Sequence, residues 1–159
     1  SDENASIYYL ARLINAGESV EFIARRLVIL ASEDIGNANP NALNLANSTM
    51  QSVAKIGMPE SRIILAQCVL YLSASPKSNT AYRAIDSALD FVKAHPTLEI
   101  PEHIKPFSKN YRYPHDSQSA FGGFVEQEYL PKNIKAKFVE FSDIGFEKTL
   151  KEWLERIKK

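Results

Sequence analysis

Few side chains in this 159-residue sequence are of types that usually carry catalysis. The three histidines, His95, His103 and His115, are not paired at metal-ligand spacing, and there is only one cysteine. The sequence also lacks a Walker-type phosphate loop, a dinucleotide-binding glycine motif and an H-E-x-x-H zinc motif. We therefore expect no catalytic residues, metal or cofactor in this chain.

The single cysteine, Cys68, lies within an apolar helical pattern over residues 65–70. It could be a catalytic thiol or a buried small apolar residue. An activated thiol needs an electropositive, partly exposed setting, whereas a free cysteine is usually buried. The apolar neighbours favour burial, and a lone cysteine excludes a disulfide framework.

A short segment between two apolar helical patterns combines Lys77 with Asn79. The free amides of the following helix, with Lys77 beside them, could bind a phosphate or another anion. The alternative is that Ser78 or Asn79 simply caps that helix. The residue types alone favour capping.

Two further segments contain basic residues. Arg25 and Arg26 flank an apolar stripe and could contact a partner, or they could pair with acidic residues on the helix surface. Residues 111–116 interleave tyrosines with Arg112 and His115, which could stack on single-stranded bases. The alternative is a loop held on the body by its rings.

Composition limits the function classes. Lys plus Arg and Asp plus Glu both number 19, so the formal net charge is zero. A compact nucleic-acid-binding domain usually has a basic excess, so strong DNA binding by this chain alone is not expected. Apolar residues make up 45%, as in ordinary soluble globular domains. The sequence shows neither a secretory leader nor an apolar run of about 20 residues that could span a membrane.

Five amphipathic helical patterns, separated by Gly and Pro, are predicted in residues 1–95. Gly17 is expected to end the first helix, and Ser19 to cap the second. The fourth pattern, from Pro59 to the break at residues 75–76, is apolar around almost its whole circumference. It predicts a central helix that is wrapped by the others or shared with another subunit. The fifth carries an apolar stripe formed by Tyr82, Ile85, Leu89 and Val92.

Residues 96–141 differ in character, because they contain five of the eight prolines. We predict an extended arm lying across the helical body, in which Val139 and Phe141 could form a short strand. A last helix over residues 142–159 is expected to be capped by Ser142, with charged residues such as Glu147 in solvent. The aromatic residues expected to hold the arm on the body are Phe107, Tyr111, Tyr113, Phe121, Phe124 and Tyr129.

Four stretches, in this order and spacing, resemble the C-terminal region of the replication-associated recombination protein A family, also called MgsA. Its eukaryotic relatives are the Werner-helicase-interacting ATPases. The stretches are FIARRLVILASEDIG at 22–36, IGMPE at 56–60 with LAQ at 65–67, PKSN at 76–79, and YRYPHD at 111–116 with EYLP at 128–131. The family usually has a longer insert where this sequence has only residues 104–110.

The resemblance implies an all-α fold similar to the clamp-loader collar, and it implies that this region assembles the family's AAA+ ATPases into tetramers. ATP and magnesium would belong to a preceding N-terminal motor module, so this chain would be the part without enzyme activity. The implied partners are further copies of the chain, DNA at stalled forks, single-strand-binding protein and replisome components, without a membrane. The implied location is the bacterial cytoplasm, in association with the nucleoid.

From these observations we predict an oligomerisation domain with two sets of contact residues. The alternative is a helical module that binds nucleic acid or protein on its own. The predicted subunit-interface residues are Ile64, Cys68, Tyr71, Tyr82 and Ile85. The predicted DNA or motor-module contacts are Arg25, Arg26, Lys77, Asn79, Arg112 and His115.

Overall fold

The computed structural model of the chain describes residues 1–116, 122–132 and 134–158. In those ranges the regular structure is helical throughout, which confirms the predicted all-α fold class. The described residues contain no β-strand element, so Val139 and Phe141 do not form the predicted strand. The helices are α1 (Glu3–Asn15), α2 (Val20–Leu30), α3 (Asn41–Ile56), α4 (Ser61–Ala74), α5 (Thr80–Ala94) and α6 (Phe146–Ile157).

Local signals set most of the helix ends. The Ser19 hydroxyl caps α2 by accepting a hydrogen bond from the Phe22 amide at 3.2 Å. Gly17 follows α1 with a positive φ of 79°. Helix α2 continues through a wider π turn, Ala31–Ile35, before the chain turns at Gly36. The helical run that begins with α2 therefore ends at Gly36, and its last turn is not α-helical.

Helices α1 to α4 build the core, and α4 lies at its centre. Helix α4 contributes Leu65, Cys68, Val69 and Leu72 to it. The opposite side of α4 is open, because Ile63 and Leu70 are exposed. The helix is thus wrapped on one side only, rather than buried all round. The core consists of two clusters, one of Leu10, Ile23, Ala24, Val53, Leu65 and Val69 and one of Ala31, Ile35, Ala42, Ala46, Cys68 and Leu72.

Helix α5 lies outside this core. Its only buried residue is Thr80, at its start. Phe91 contacts the arm through an edge-to-face contact with Phe138, with ring centroids 5.5 Å apart, and stacks on His95 at 3.9 Å. Most of the remaining helix surface faces solvent.

The arm is held together largely by its own contacts. The Arg112 amide donates to the Gln127 side-chain carbonyl at 3.3 Å, and the Gln127 amide group donates back to the Arg112 carbonyl at 3.1 Å. Phe107 is fully exposed and Tyr113 is half-exposed, so these rings do not hold the arm on the body as predicted. Phe121 lies outside the described residues.

Gly145 precedes α6 at a position that only glycine fits. Its φ is 56°, and a Cβ atom there would overlap the carbonyl oxygen of Ala38. We expect Gly145→Ala to lower the free energy of unfolding by about 3 kcal/mol, because strain and overlap add. The control is Gly17→Ala, also at positive φ but with open space around it, which should cost only about 1 kcal/mol. Urea unfolding measures both, and equal losses would contradict this packing role of Gly145.

Candidate functional site

Helix α5 carries a row of exposed apolar side chains. Tyr82, Ile85, Leu89 and Val92 follow one another at steps of three and four residues, which places them on one helix face. Their side chains are between 47 and 68% exposed. We call this surface the α5 stripe. It contains two of the predicted interface residues, Tyr82 and Ile85.

The predicted interface residues on α4 are divided between surface and core. Tyr71 is exposed, and its hydroxyl accepts a hydrogen bond from the Asn39 side-chain amide at 3.0 Å. Ile64 is partly buried against the first core cluster. Cys68 is completely buried, so it cannot contact another subunit, and we remove it from the interface set.

The buried interpretation of Cys68 is confirmed. Burial raises the pKa of its thiol, which is only partly offset by a hydrogen bond with Thr49. A buried thiol with a raised pKa is the opposite of an activated nucleophile.

Lys77 caps the end of α4. Its ammonium group donates to the carbonyl oxygens of Leu72 at 2.8 Å, Ser73 at 3.2 Å and Ser75 at 2.5 Å. Burial lowers the pKa of Lys77, and the nearby Asp34 carboxylate acts in the opposite direction. An ammonium group has three donors, so these carbonyls engage all three in this structure, and the anion contact of Lys77 stays a prediction.

We expect Lys77→Ala to lower the free energy of unfolding by about 1–2 kcal/mol, because the last carbonyls of α4 lose their donor. Lys93→Ala is the control, since Lys93 makes only an exposed ion pair with Asp90 at 3.7 Å. Such pairs contribute little. Both variants are compared by urea unfolding, and a Lys77 variant as stable as the control would contradict the capping role.

The carboxylate of Glu147 lies at the start of α5 and accepts a hydrogen bond from the first residue of that helix, Thr80. Glu147 is completely buried, and its Oε2 accepts hydrogen bonds from the Ser142 amide at 3.0 Å, the Ser142 hydroxyl at 2.7 Å and the Thr80 hydroxyl at 3.0 Å. Ser78 accepts a hydrogen bond from the Thr80 amide at 3.3 Å, but in the described part of the chain the N-cap residue Asn79 makes no side-chain capping hydrogen bond, so the predicted capping by Ser78 or Asn79 is not seen in this form. The predicted phosphate contact at this helix start is therefore not supported.

Electrostatics keep Glu147 ionised. Burial raises the pKa of its carboxyl, but the hydrogen bonds from Ser142, Ser78 and Thr80 lower it more, so the net pKa lies below its ordinary value. The prediction that Glu147 lies in solvent is wrong. The sequence did contain a signal for this position. Glu147 is an acidic residue in the first turn of a helix, a few positions after Ser142, and such a pattern indicates a carboxylate that binds groups at the helix start.

The predicted basic contacts lie on separate elements. Arg25 and Arg26 are exposed on α2, and Arg26 reaches an apolar groove of about 360 Å³ that Lys77 also lines. Arg112 donates to the Glu126 carbonyl at 3.1 Å in the arm. The structure thus brings Arg26 and Lys77 together, whereas Arg112 belongs to the arm.

Asn79 and His115 are both exposed. Asn79 lines a polar cleft of about 530 Å³ together with Arg83 and Lys151. The His115 ring lies 5.2 Å from that of Tyr113, in a tilted arrangement. Neither geometry by itself identifies a ligand.

The described residues show neither a metal-binding cluster nor a membrane-spanning helix. No group of three or more His, Cys, Asp or Glu side chains in the described ranges could hold a metal ion. In the same part of the chain, no helix has the length and apolarity needed to cross a membrane.

Comparison with known proteins identifies the family. The family model described as MgsA AAA+ ATPase C terminal matches residues 1–158. The replication-associated recombination protein A of Bacillus subtilis is 41% identical over 171 residues, which cover 100% of this chain and 40% of that protein. The protein of the same name from Escherichia coli K12 is 33% identical, with 84% of this chain and 32% of that protein covered.

A eukaryotic relative extends the similarity. The protein named ATPase WRNIP1 from Dictyostelium discoideum is 35% identical over 154 residues, which cover 89% of this chain and 17% of that protein. The chain thus spans less than half the length of each of these relatives. The full-length family match and these identities show that the chain belongs to the family of C-terminal domains of MgsA AAA+ ATPases.

Proposed function

We propose that this chain is the oligomerisation domain of a clamp-loader-like AAA+ ATPase, and that it joins four copies into one assembly. The observation that carries the proposal is the α5 stripe. In this arrangement the helical body and arm, residues 1–95 and 96–141, would form a collar, and the last helix, residues 142–159, would pack at its edge.

Helix α5 exposes several large apolar side chains although it is an ordered element. Monomeric proteins rarely leave extended contiguous apolar patches in water. Four such residues at helical spacing form the kind of seam that packs against another helix. Tyr71, which is exposed on α4, provides further aromatic surface of the type enriched at interfaces.

The proposed role of the whole protein follows from its relatives. Several are named replication-associated recombination proteins, so we propose that the parent acts on DNA at replication forks. ATP and magnesium would bind its motor module. Single-strand-binding protein and replisome components would be partners, in the cytoplasm with the nucleoid.

The test is the absolute mass of the purified chain by light scattering after size-exclusion chromatography, over a dilution series. We expect a mass of four times the 17.9 kDa of one chain that persists on dilution. A monomer at every concentration would contradict the proposal. It would then assign assembly to other parts of the parent or to DNA.

A further inference from the structure

One side of the arm forms an aromatic cleft of about 460 Å³. We define the aromatic cleft by Phe107, Tyr111 and Tyr129, with His103 and Lys105 also lining it. Tyr111 and Tyr129 are each close to half-exposed. The cleft therefore presents ring surface to solvent rather than to the protein core.

Hydrogen bonds hold the walls of the cleft in place. A ring nitrogen of His103, Nε2, lies 2.6 Å from the Glu128 carbonyl oxygen. The Tyr129 hydroxyl donates to the Val125 carbonyl at 3.1 Å and accepts from the Gln127 side-chain amide at 3.0 Å. Because these contacts use the polar atoms, the Tyr129 ring remains available for stacking.

Phe107 occupies an unusual backbone position at the edge of the cleft. It follows Pro106 in a turn that is closed by the Ser108 amide donating to the Lys105 carbonyl at 3.2 Å. Its φ is +64°, in the region that turns of this kind normally reserve for Gly or Asn. The side chain is fully exposed, so no burial within the chain offsets this strain. Strain of this kind is a reason to look for a function.

The charges around the cleft are mixed. Residues 103–115 contain Lys105, Lys109 and Arg112 and no acidic residue. Lys105 is already paired with Glu102 at 2.6 Å, and Glu126 and Glu128 follow in the facing segment. Stacking on the rings should therefore contribute more to affinity than charge.

We propose that the aromatic cleft binds an unpaired nucleobase that carries phosphate, stacked against Phe107. Aromatic rings combined with nearby cations are the usual means of binding such bases without sequence preference. Two sources share this chemistry, a base within single-stranded DNA and a free nucleotide. The inference goes beyond the proposed oligomerisation, and it does not depend on it.

The experiment measures the fluorescence anisotropy of end-labelled oligothymidylate titrated with the chain. Phe107→Ala should weaken binding by about tenfold or more. Phe107→Gly should weaken it equally, with a thermal midpoint as high as that of the original chain or higher, because glycine relieves the strain. Tyr8→Ala is the matched control, since Tyr8 is an exposed aromatic residue on α1, outside the cleft, and should leave binding unchanged.

Two further ligands test the chemistry and identify the source. An abasic oligonucleotide of the same length should bind more weakly than oligothymidylate, and equal binding would overturn the proposal. Competition by thymidine monophosphate at low concentration would support a free nucleotide as the ligand, and weak competition would support a strand. Unchanged binding by Phe107→Ala would overturn the proposal. An absence of binding by the original chain would also overturn the proposal. Phe107 would then be assigned to contact with a pocket on a partner protein.

Discussion

Replacing Leu89 with glutamate is expected to dissociate the proposed tetramer into monomers. Leu89 lies within the α5 stripe, between Ile85 and Val92, so a carboxylate there would be buried without a partner when subunits meet. An uncompensated buried charge costs several kcal/mol. At about 1.4 kcal/mol for each factor of ten, the dissociation constant should rise at least about 100-fold.

The measurement is the mass by light scattering together with far-ultraviolet circular dichroism. Leu89 is 47% exposed in the chain, so the variant should keep its helical spectrum. The matched control is Leu13→Glu on α1, where the same side chain is 43% exposed. Loss of assembly in both variants, or in neither, would contradict the assignment of the interface to the α5 stripe.

Replacing Glu147 with alanine is expected to lower the free energy of unfolding by about 3 kcal/mol. Hydrogen bonds to a charged group contribute about 1.5–3 kcal/mol each, and the cost of burying the carboxylate, whose Oε1 has no hydrogen-bond partner among the described residues, offsets part of their sum. Oε2 of Glu147 accepts three of them. The variant would leave the donors of Ser142 and Thr80 in a buried site without an acceptor. Urea unfolding measures the loss.

The pH dependence of this contribution has a definite sign. Because the native pKa of Glu147 is below its ordinary value of about 4.3, its stabilisation is fully present above that value. It is lost as the pH falls through the native pKa. The Glu147→Gln side chain has nearly the same shape as glutamate but cannot ionise. The difference in free energy of unfolding between this variant and the original chain should therefore be largest at neutral pH and should decrease in acid.

Glu152→Ala is the control for both measurements. Glu152 lies on the same helix, where its exposed carboxylate is 3.9 Å from the Lys148 ammonium, and its loss should change stability by less than about 0.5 kcal/mol. If the stability difference between Glu147→Gln and the original chain stays constant from neutral to acid pH, the stabilisation does not depend on ionised Glu147, and the prediction is contradicted.

Glu147 also anchors the start of the helix that carries the α5 stripe. It lies in the first turn of α6 and binds Thr80, the first residue of α5. Gly145, just before α6, packs against the backbone of Ala38. Variants of Glu147 are therefore expected to weaken assembly as well as folding, because the start of α5 loses one of its anchors.

The family assignment and the helix pattern were predictable from the sequence. Ser19 caps α2 within one turn, and Gly17 ends α1 through its own backbone freedom. The apolar residues of α5 were recognisable as one face from their spacing alone. Signals of this kind act over a few neighbouring residues, so they can be detected without tertiary contacts.

The roles of individual side chains depended on tertiary structure. Lys77 was a candidate DNA or motor-module contact from the sequence, and only the structure showed that its ammonium group binds the last carbonyls of α4. Glu147 was predicted to be solvated, but it lies against Thr80, which is 67 residues away in sequence. The exposed turn position of Phe107 could not be predicted either, because the proline before it is compatible with several turn types.

By itself, then, the sequence determined the helices, the apolar stripe on α5 and the family to which the chain belongs. Only the tertiary structure decided which apolar residues are core and which are surface, because both classes have the same composition. Cys68 and Ile63 lie on one apolar helix, yet the packing of α1 to α4 buries the first completely and leaves the second exposed. Contacts between residues distant in sequence make that distinction, and they also determine which charged groups are free to bind a ligand.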